Sequence, residues 1–557
     1  DGACTLGGCG NRMDPPTAYV FPSTFDQVTV LKGPQTVQHG PGVSAGVVLF
    51  ERTAPRFTEA DRQLKIHSNL GSAARRDLST EALVGNPSAY ARFLGSWSEA
   101  DDFEDGDGIV SNTSYERWNT QLALGWTPNE RAGLELTLTQ SDGQAAYADR
   151  GMDGIAFDRH AYALRYRAEQ LDGPLRSIDA QAYYNYVDHV MDNVSLRTFR
   201  PSAMMPMPML SNPDRLTYGG SVKVDLERRD KIASTVGIDF QTNEHSVRGA
   251  MGAAVPEYRS IARAENARFD QVGVFGEFEY AANEVQTLHF GMRLDTWEAT
   301  DRRAFAPLGM MGSAPNPPAH AQRSQTLSSG FLRYEHTLGS DDSILQIGLG
   351  HSERFPDYWE LFNKESATSI SAFSTRPETI TQLDLGTISY WGNFQLNVST
   401  FLADHQDFIL IESAYAKPMG TMQRPTTISR NVAATTWGGE ATLSYQNDPG
   451  WYSSATLAYT HGTNDTDHRP LAQISPLEFS LEGGRRHEGW SIGYLARFVA
   501  AQDRVAVNQG NIVGQDIGPS SSFSVLSLHS SYRIDEHWNL AAGIDNLLDE
   551  TYAEHVS

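Results

Sequence analysis

The chain has 557 residues, with 44 Lys plus Arg against 68 Asp plus Glu and a formal charge of −24. That excess of carboxylate repels nucleic acid and anionic surfaces and favours cations, which excludes nucleic-acid binding as a function class. No stretch approaches the roughly 18 consecutive apolar residues of a membrane helix, the longest clean run being "AGVVLF". The first residues, "DGACTLGGCG", lack a charged start followed by an apolar core, so no export signal is expected in the chain.

Residues 1–57 mix short β-like runs with glycine turns, as in "VTVLKGPQTVQHGPGVSAGVVLFERTAPRF", and read as a small folded plug. "GPQTVQHGP" and "GPGVSAG" lack the strand-turn-helix context of a phosphate loop and are read as turns. Earlier in this segment "CGNRM" sets Cys9 and Met13 four residues apart. On a helical turn that spacing puts both side chains on one face. A Cys4–Cys9 disulfide is the competing use of the thiol, because exported proteins sit in an oxidising compartment.

From about residue 62 the dominant pattern is period two, the mark of strands with one apolar face. "LELTLT" (134–139), "TLHFGMRLDTW" (287–297), "FQLNVSTFLA" (394–403) and "GWSIGYLARF" (489–498) all carry it. Short turns such as "GNPS", "LDGP", "WGN" and "QNDPG" alternate with long, polar, Gly- and Pro-rich connections. Amphipathic strands with short turns at one end and long loops at the other predict an all-β membrane protein, an outer-membrane barrel over residues 58–557 with the plug in its lumen. In lipid only closure pairs every backbone group of a sheet. About 21 strands are predicted, whereas bacterial barrels have even numbers. The chain is therefore expected to stop one strand short, at "GIDNLLDETYAEHVS".

On one of these strands "VDHVMDN" sets His189 and Met191 two residues apart, hence on one face, the polar face that lines the lumen. A thiolate, an imidazole and two thioethers from Cys9, Met13, His189 and Met191 form a soft ligand set. It suits copper, Cu(I) before Cu(II), and does not suit Ca²⁺ or Mg²⁺; zinc rarely takes two methionines. Ten of the 13 methionines are predicted in long loops, and Met292, like Met191, within a strand. The densest group, Met204, Met205, Met207 and Met209 in "SAMMPMPML", reads either as a thioether surface that captures a soft ion or as an apolar loop that packs on the plug. No G-x-S-x-G and no H-E-x-x-H is present, so the chain is not read as an enzyme.

Two motifs at opposite ends add a family resemblance. "VTVLKGPQTVQHGPGVSAGVV" resembles the plug hallmark of TonB-dependent outer-membrane receptors, and "IDNLLDETYAEH" is similar to their C-terminal barrel motif. The resemblance implies a plug inside a 22-stranded barrel of the bacterial outer membrane, surrounded by lipid and lipopolysaccharide. It also implies a TonB-type inner-membrane complex that energises transport by pulling on an N-terminal box; that box, the signal peptide and the early plug are expected to lie outside this sequence. "CGNRM" with "HVM" resembles the paired copper motif of the copper receptor subfamily, as do "MDPPTAYVFP" and "NPDRLTYGG", which implies copper uptake. Cys4 departs from that motif and leaves the disulfide alternative open. "HSERFPDYWELFN" resembles a segment common to the whole family, without an extended haem motif. A siderophore or haem receptor of the same fold, and a barrel that serves as a surface metal-binding protein or phage receptor, are the alternatives.

Overall fold

The computed structural model describes residues 5–556 except 41, 43, 203–204, 230, 309–311, 340–342, 449 and 512–514. Among the described residues, twenty-two strands form one barrel sheet that begins at Asp61–Leu70 and ends at Asn539–Ile544. Twenty-one of them are 6 to 26 residues long, matching the strands that period two predicts. The other is Arg469–Pro470, which pairs with Thr463 and Asn464 and is too short to show a period.

Alternation sorts the side chains. On Gln286–Asp301, Met292 and Leu294 face out with 71 % and 51 % exposure, while Arg293 and Asp295 between and beside them are buried at 1 % each on the lumen side. Transfer of each such outward aliphatic side chain from water into hydrocarbon is worth about 1.5–3 kcal/mol. Surrounding hydrocarbon would therefore stabilise what water opposes.

The lumen face is polar and holds the N-terminal segment. A hairpin pairs Gln27–Lys32 with Gly46–Glu51, and Gly33, at φ +69°, turns the chain out of its first strand. At the turn that follows, Glu277 of the wall accepts from Thr36 Oγ1 and the Val37 N–H, both at 2.7 Å, and from Gln38 Nε2 at 2.5 Å. Arg293, paired to Asp239 and Asp295 at 2.7 Å each, also donates to Val37 O at 3.3 Å. The buried guanidinium is thus compensated twice over, as a charge in that setting requires.

Phe394–Met419 and Met422–Gln446 are the longest strands, 26 and 25 residues, and stay in register to their tips, Met419 opposite Met422. Ile409, Leu410, Ile411 and Ile428 on this hairpin are all but inaccessible. A second apolar cluster gathers Phe355, Tyr358, Leu361, Phe362 and Phe373 from the connection after Ser343–Arg354 against Phe269 and Leu327 of the wall. That connection contains a single helical turn, Tyr358–Leu361, closed by a reciprocal Asp357/Glu360 capping box.

The strands run further than the apolar pattern alone suggests. Met209, Met251, Met419 and Met422, expected in loops, lie at strand ends. Backbone pairing continues into the polar region where the period-two signal fades, so the loops are shorter than expected.

Candidate metal centre

The N-terminal contribution is a turn built on Asp14. Its carboxylate accepts the Gly8 N–H at 2.7 Å, the Cys9 N–H at 2.9 Å and the Tyr19 hydroxyl at 2.8 Å. Gly7 allows the close approach: a Cβ there would stand 2.0 Å from Asp14 O. The Arg12 N–H closes the turn on Cys9 O at 3.0 Å, with Arg12 in the left-handed region at φ +53°. The helical turn expected over Cys9–Met13 does not form. Gly8 and Gly10 oppose a helix, and the Asp14 side chain takes the amides that would begin one.

The wall contributes Leu175–Asp192, on which Asn185, Val187, His189 and Met191 are buried on the lumen face. The neighbouring strand Asp153–Ala168 carries a bulge between Gly154 and Ala156, opposite Met191 and Val190. The bulge aims the Ala156 carbonyl at His189, 2.9 Å from Nδ1. A carbonyl only accepts, so Nδ1 carries the hydrogen. Nε2 is left buried and without a hydrogen-bond partner. Phe157 covers the imidazole at 4.5 Å between centroids and Tyr19 meets Phe157 edge-on at 6.1 Å, so both structural units clamp the ring.

These two contributions meet. Cys9 Sγ lies 3.6 Å from Met191 Sδ, a contact between residues 182 apart in sequence. Ligand atoms of Cys9, Asp14 and His189 lie within 4.8 Å of one another, all three residues buried. Met13 stands half-buried at the end of the same turn, its carbonyl accepting the Tyr147 hydroxyl at 2.7 Å. Asp14 is the member that sequence reasoning missed; the available signal was a carboxylate five residues after Cys9 and directly before Pro-Pro.

Burial first, and the Asp14 charge second, push the Cys9 thiol from 9.0 up to about 12. The Asn11 N–H, 3.3 Å from Sγ, works the other way. Cys9 therefore holds its proton at neutral pH until something replaces it. Cys9 is a free cysteine, and Cys4 lies outside the described residues.

Of the loop methionines, Met204 is outside the described residues. Asn193 organises two others: its Nδ2 lies 3.8 Å from Met205 Sδ and its Oδ1 accepts the Met209 N–H at 2.8 Å. Met207 is 40 % exposed.

A model of the TonB dependent receptor-like β-barrel family matches residues 96–547. The chain belongs to that family. As a TonB-dependent receptor it resides in the outer membrane and crosses it with strands, and no helix among the described residues is long and apolar enough to cross a membrane. The solved structure of the copper transporter OprC is 42 % identical over 100 % of this receptor and 84 % of its own chain, with a TM-score of 0.95. The FrpB iron transporter of Neisseria meningitidis is 13 % identical over 96 % of this receptor and 85 % of its own chain, with a TM-score of 0.71. A variant of the ferric enterobactin receptor PfeA of Pseudomonas aeruginosa is 16 % identical over 96 % and 83 %, with a TM-score of 0.72. At those two identities the likeness is one of fold alone.

Proposed function

We propose that this receptor binds copper between plug (residues 1–57) and barrel (58–557) and imports it. The observation that carries the reading is the buried Cys9–Met191 sulfur contact at 3.6 Å with His189 beside it. Two soft sulfurs and an imidazole with an unpartnered nitrogen favour copper, and Cu(I) in particular, over hard cations. Met13 is taken as the fourth ligand, from the end of the turn that carries Cys9. Asp14 already accepts three hydrogen bonds and is read as the residue that shapes this turn. The 42 % identity to the copper transporter OprC supports the same cargo.

Cys9 would bind as thiolate, His189 through Nε2, and Met13 and Met191 as neutral thioethers. Met204, Met205, Met207 and Met209 would capture the ion first, since thioethers ligate without competing protons. A TonB-type inner-membrane complex would supply the energy, and lipid with lipopolysaccharide would surround the outward apolar belt. A Cys/Asp/His set also suits zinc. Exposure of the purified receptor to mixed copper, zinc and iron, followed by metal analysis, separates these readings. Copper retained by the wild type and lost in Cys9→Ala is the expected result; zinc or iron retained instead would overturn the copper reading. Uptake of radiolabelled copper that is unchanged in cells without the energiser would reduce the role to surface binding.

A further inference from the structure

The copper reading leaves open how Cys9, His189 and Met191, all buried, are reached from outside, and one residue of the metal turn bears on it. Arg12 stands between Cys9 and Met13, yet its side chain serves neither. Its Nη1 donates to Asn511 O at 3.0 Å, its Cζ lies 5.0 Å over the Trp359 ring, and its Nη2 is 3.7 Å from Glu360 Oε1. Trp359 and Glu360 belong to the buried connection after Ser343–Arg354, which also touches the turn beneath them: Asn363 Nδ2 donates to Gly10 O at 2.5 Å. A Cβ at Gly10 would stand only 3.1 Å from Tyr358 Cε1. The Tyr358–Lys364 stretch is thus pressed onto the Cys9 turn.

The strengths of these contacts are unequal. Glu360 is primarily held by Arg354, at 2.9 Å, so the longer approach of Arg12 is a secondary ion pair. What Arg12 adds is the flat guanidinium on an indole face, a contact that lysine reproduces poorly. Asn363 and Lys364, the latter with Nζ 3.5 Å from Asn11 Oδ1, also meet the turn, Arg215 bridges Gly7 O and Asp357, and the apolar side chains of the stretch pack on Phe269 and Leu327 of the wall. Among these ties Arg12 is the plug side chain that reaches Trp359, a ring that Lys364 Nζ also covers at 4.0 Å.

We propose that Arg12 is the latch of an outer gate: its stack on Trp359 holds the Tyr358–Lys364 stretch over the metal turn, and copper exchanges with the outside when that stack opens. The proposal rests on the copper reading of Cys9. The latch is closed in the free and the loaded protein alike, so its loss speeds entry and exit together and leaves equilibrium affinity unchanged. Arg12 is therefore a positioning residue and not a ligand.

The test uses intact cells and a membrane-impermeant maleimide that reports access to the Cys9 thiol. Arg12→Gln and Trp359→Leu are each expected to raise the labelling rate roughly tenfold, and the double variant to be no faster than either single one, as for two partners in one contact. Arg12→Lys should recover part of the protection. Labelling at the wild-type rate in both single variants overturns the latch. In a second arm, Cu(I) loading and its removal by an external chelator should both accelerate about tenfold at unchanged Kd. Weakened Kd with unchanged labelling would show that Arg12 shapes the site and would overturn the latch. Faster labelling in a protein that retains no copper would leave the latch standing and remove the copper reading.

Discussion

Gly154 leaves the space that the His189 ring occupies. A Cβ at Gly154 would stand 3.2 Å from His189 Cε1 and 2.4 Å from Phe157 Cζ, so a single methyl would push on the imidazole and on the ring that covers it. Gly154→Ala is expected to leave the barrel folded and to weaken copper binding about tenfold. Overpacking of this kind costs about 1–3 kcal/mol, and ~1.4 kcal/mol is a factor of ten. A competition titration with a Cu(I) chelator reads it, and unchanged affinity would mean that the imidazole is not held by this gap.

Proton release should accompany copper binding. Cys9 keeps its proton up to about 12, chiefly because it is buried, and a metal that takes the thiolate must displace that proton. Below that value a lower pH favours the thiol over the metal, so apparent affinity should rise about tenfold for each pH unit gained. Titrations at pH 7, 8 and 9 should show this slope in the wild type. Its persistence in Cys9→Ala would assign the released proton to another group.

The proposed ligands should matter unequally. Cys9→Ala removes the only sulfur that can become anionic and is expected to cost the most. Met13→Ala or Met191→Ala removes a weak neutral donor and should cost less. His189→Ala is expected to fall between them. Equal losses for Met191→Ala and Cys9→Ala would contradict this order and would give the Met191 sulfur, 3.6 Å from Sγ, a role beyond that of a weak donor.

Replacing Met204, Met205, Met207 and Met209 together by Leu keeps the apolar bulk and removes the sulfur. Uptake at limiting copper should fall while the affinity of the buried site stays as it is. Full uptake would mean that these side chains only pack, as the 3.8 Å approach of Asn193 to Met205 Sδ also allows.

A peptide tag inserted beside Met207 should bind antibody on intact cells. Binding only after the outer membrane is breached would reverse the orientation and close the external route to Cys9.

How much of this was legible depended on range. The strands could be read because each one states its own alternation: Trp490, Ile492 and Phe498 face one way without help from any other segment. The pairing of Cys9 with His189 and Met191 could be suspected from donor softness, since few other chemistries need those atoms together. What could not be read was what the tertiary structure creates. The Gly154/Ala156 bulge that aims a carbonyl at Nδ1 depends on a strand register. The role of Asp14 depends on three donors that meet only when Tyr19 folds back on the turn. The helical reading of Cys9–Met13 failed for a related reason: side-chain spacing says which residues could share a face, while glycines and a competing carboxylate decide whether the helix forms.

The sulfur contact between Cys9 and Met191 has a mechanical meaning as well. Half of the proposed donor set belongs to the N-terminal segment and half to the wall, so displacing that segment would separate donors from opposite sides of a bound ion. Occupancy and plug position would then be one coordinate. On the proposed ligand set, work done on the segment would loosen the ion by the same motion that clears its exit, so tight binding at rest would be compatible with rapid delivery.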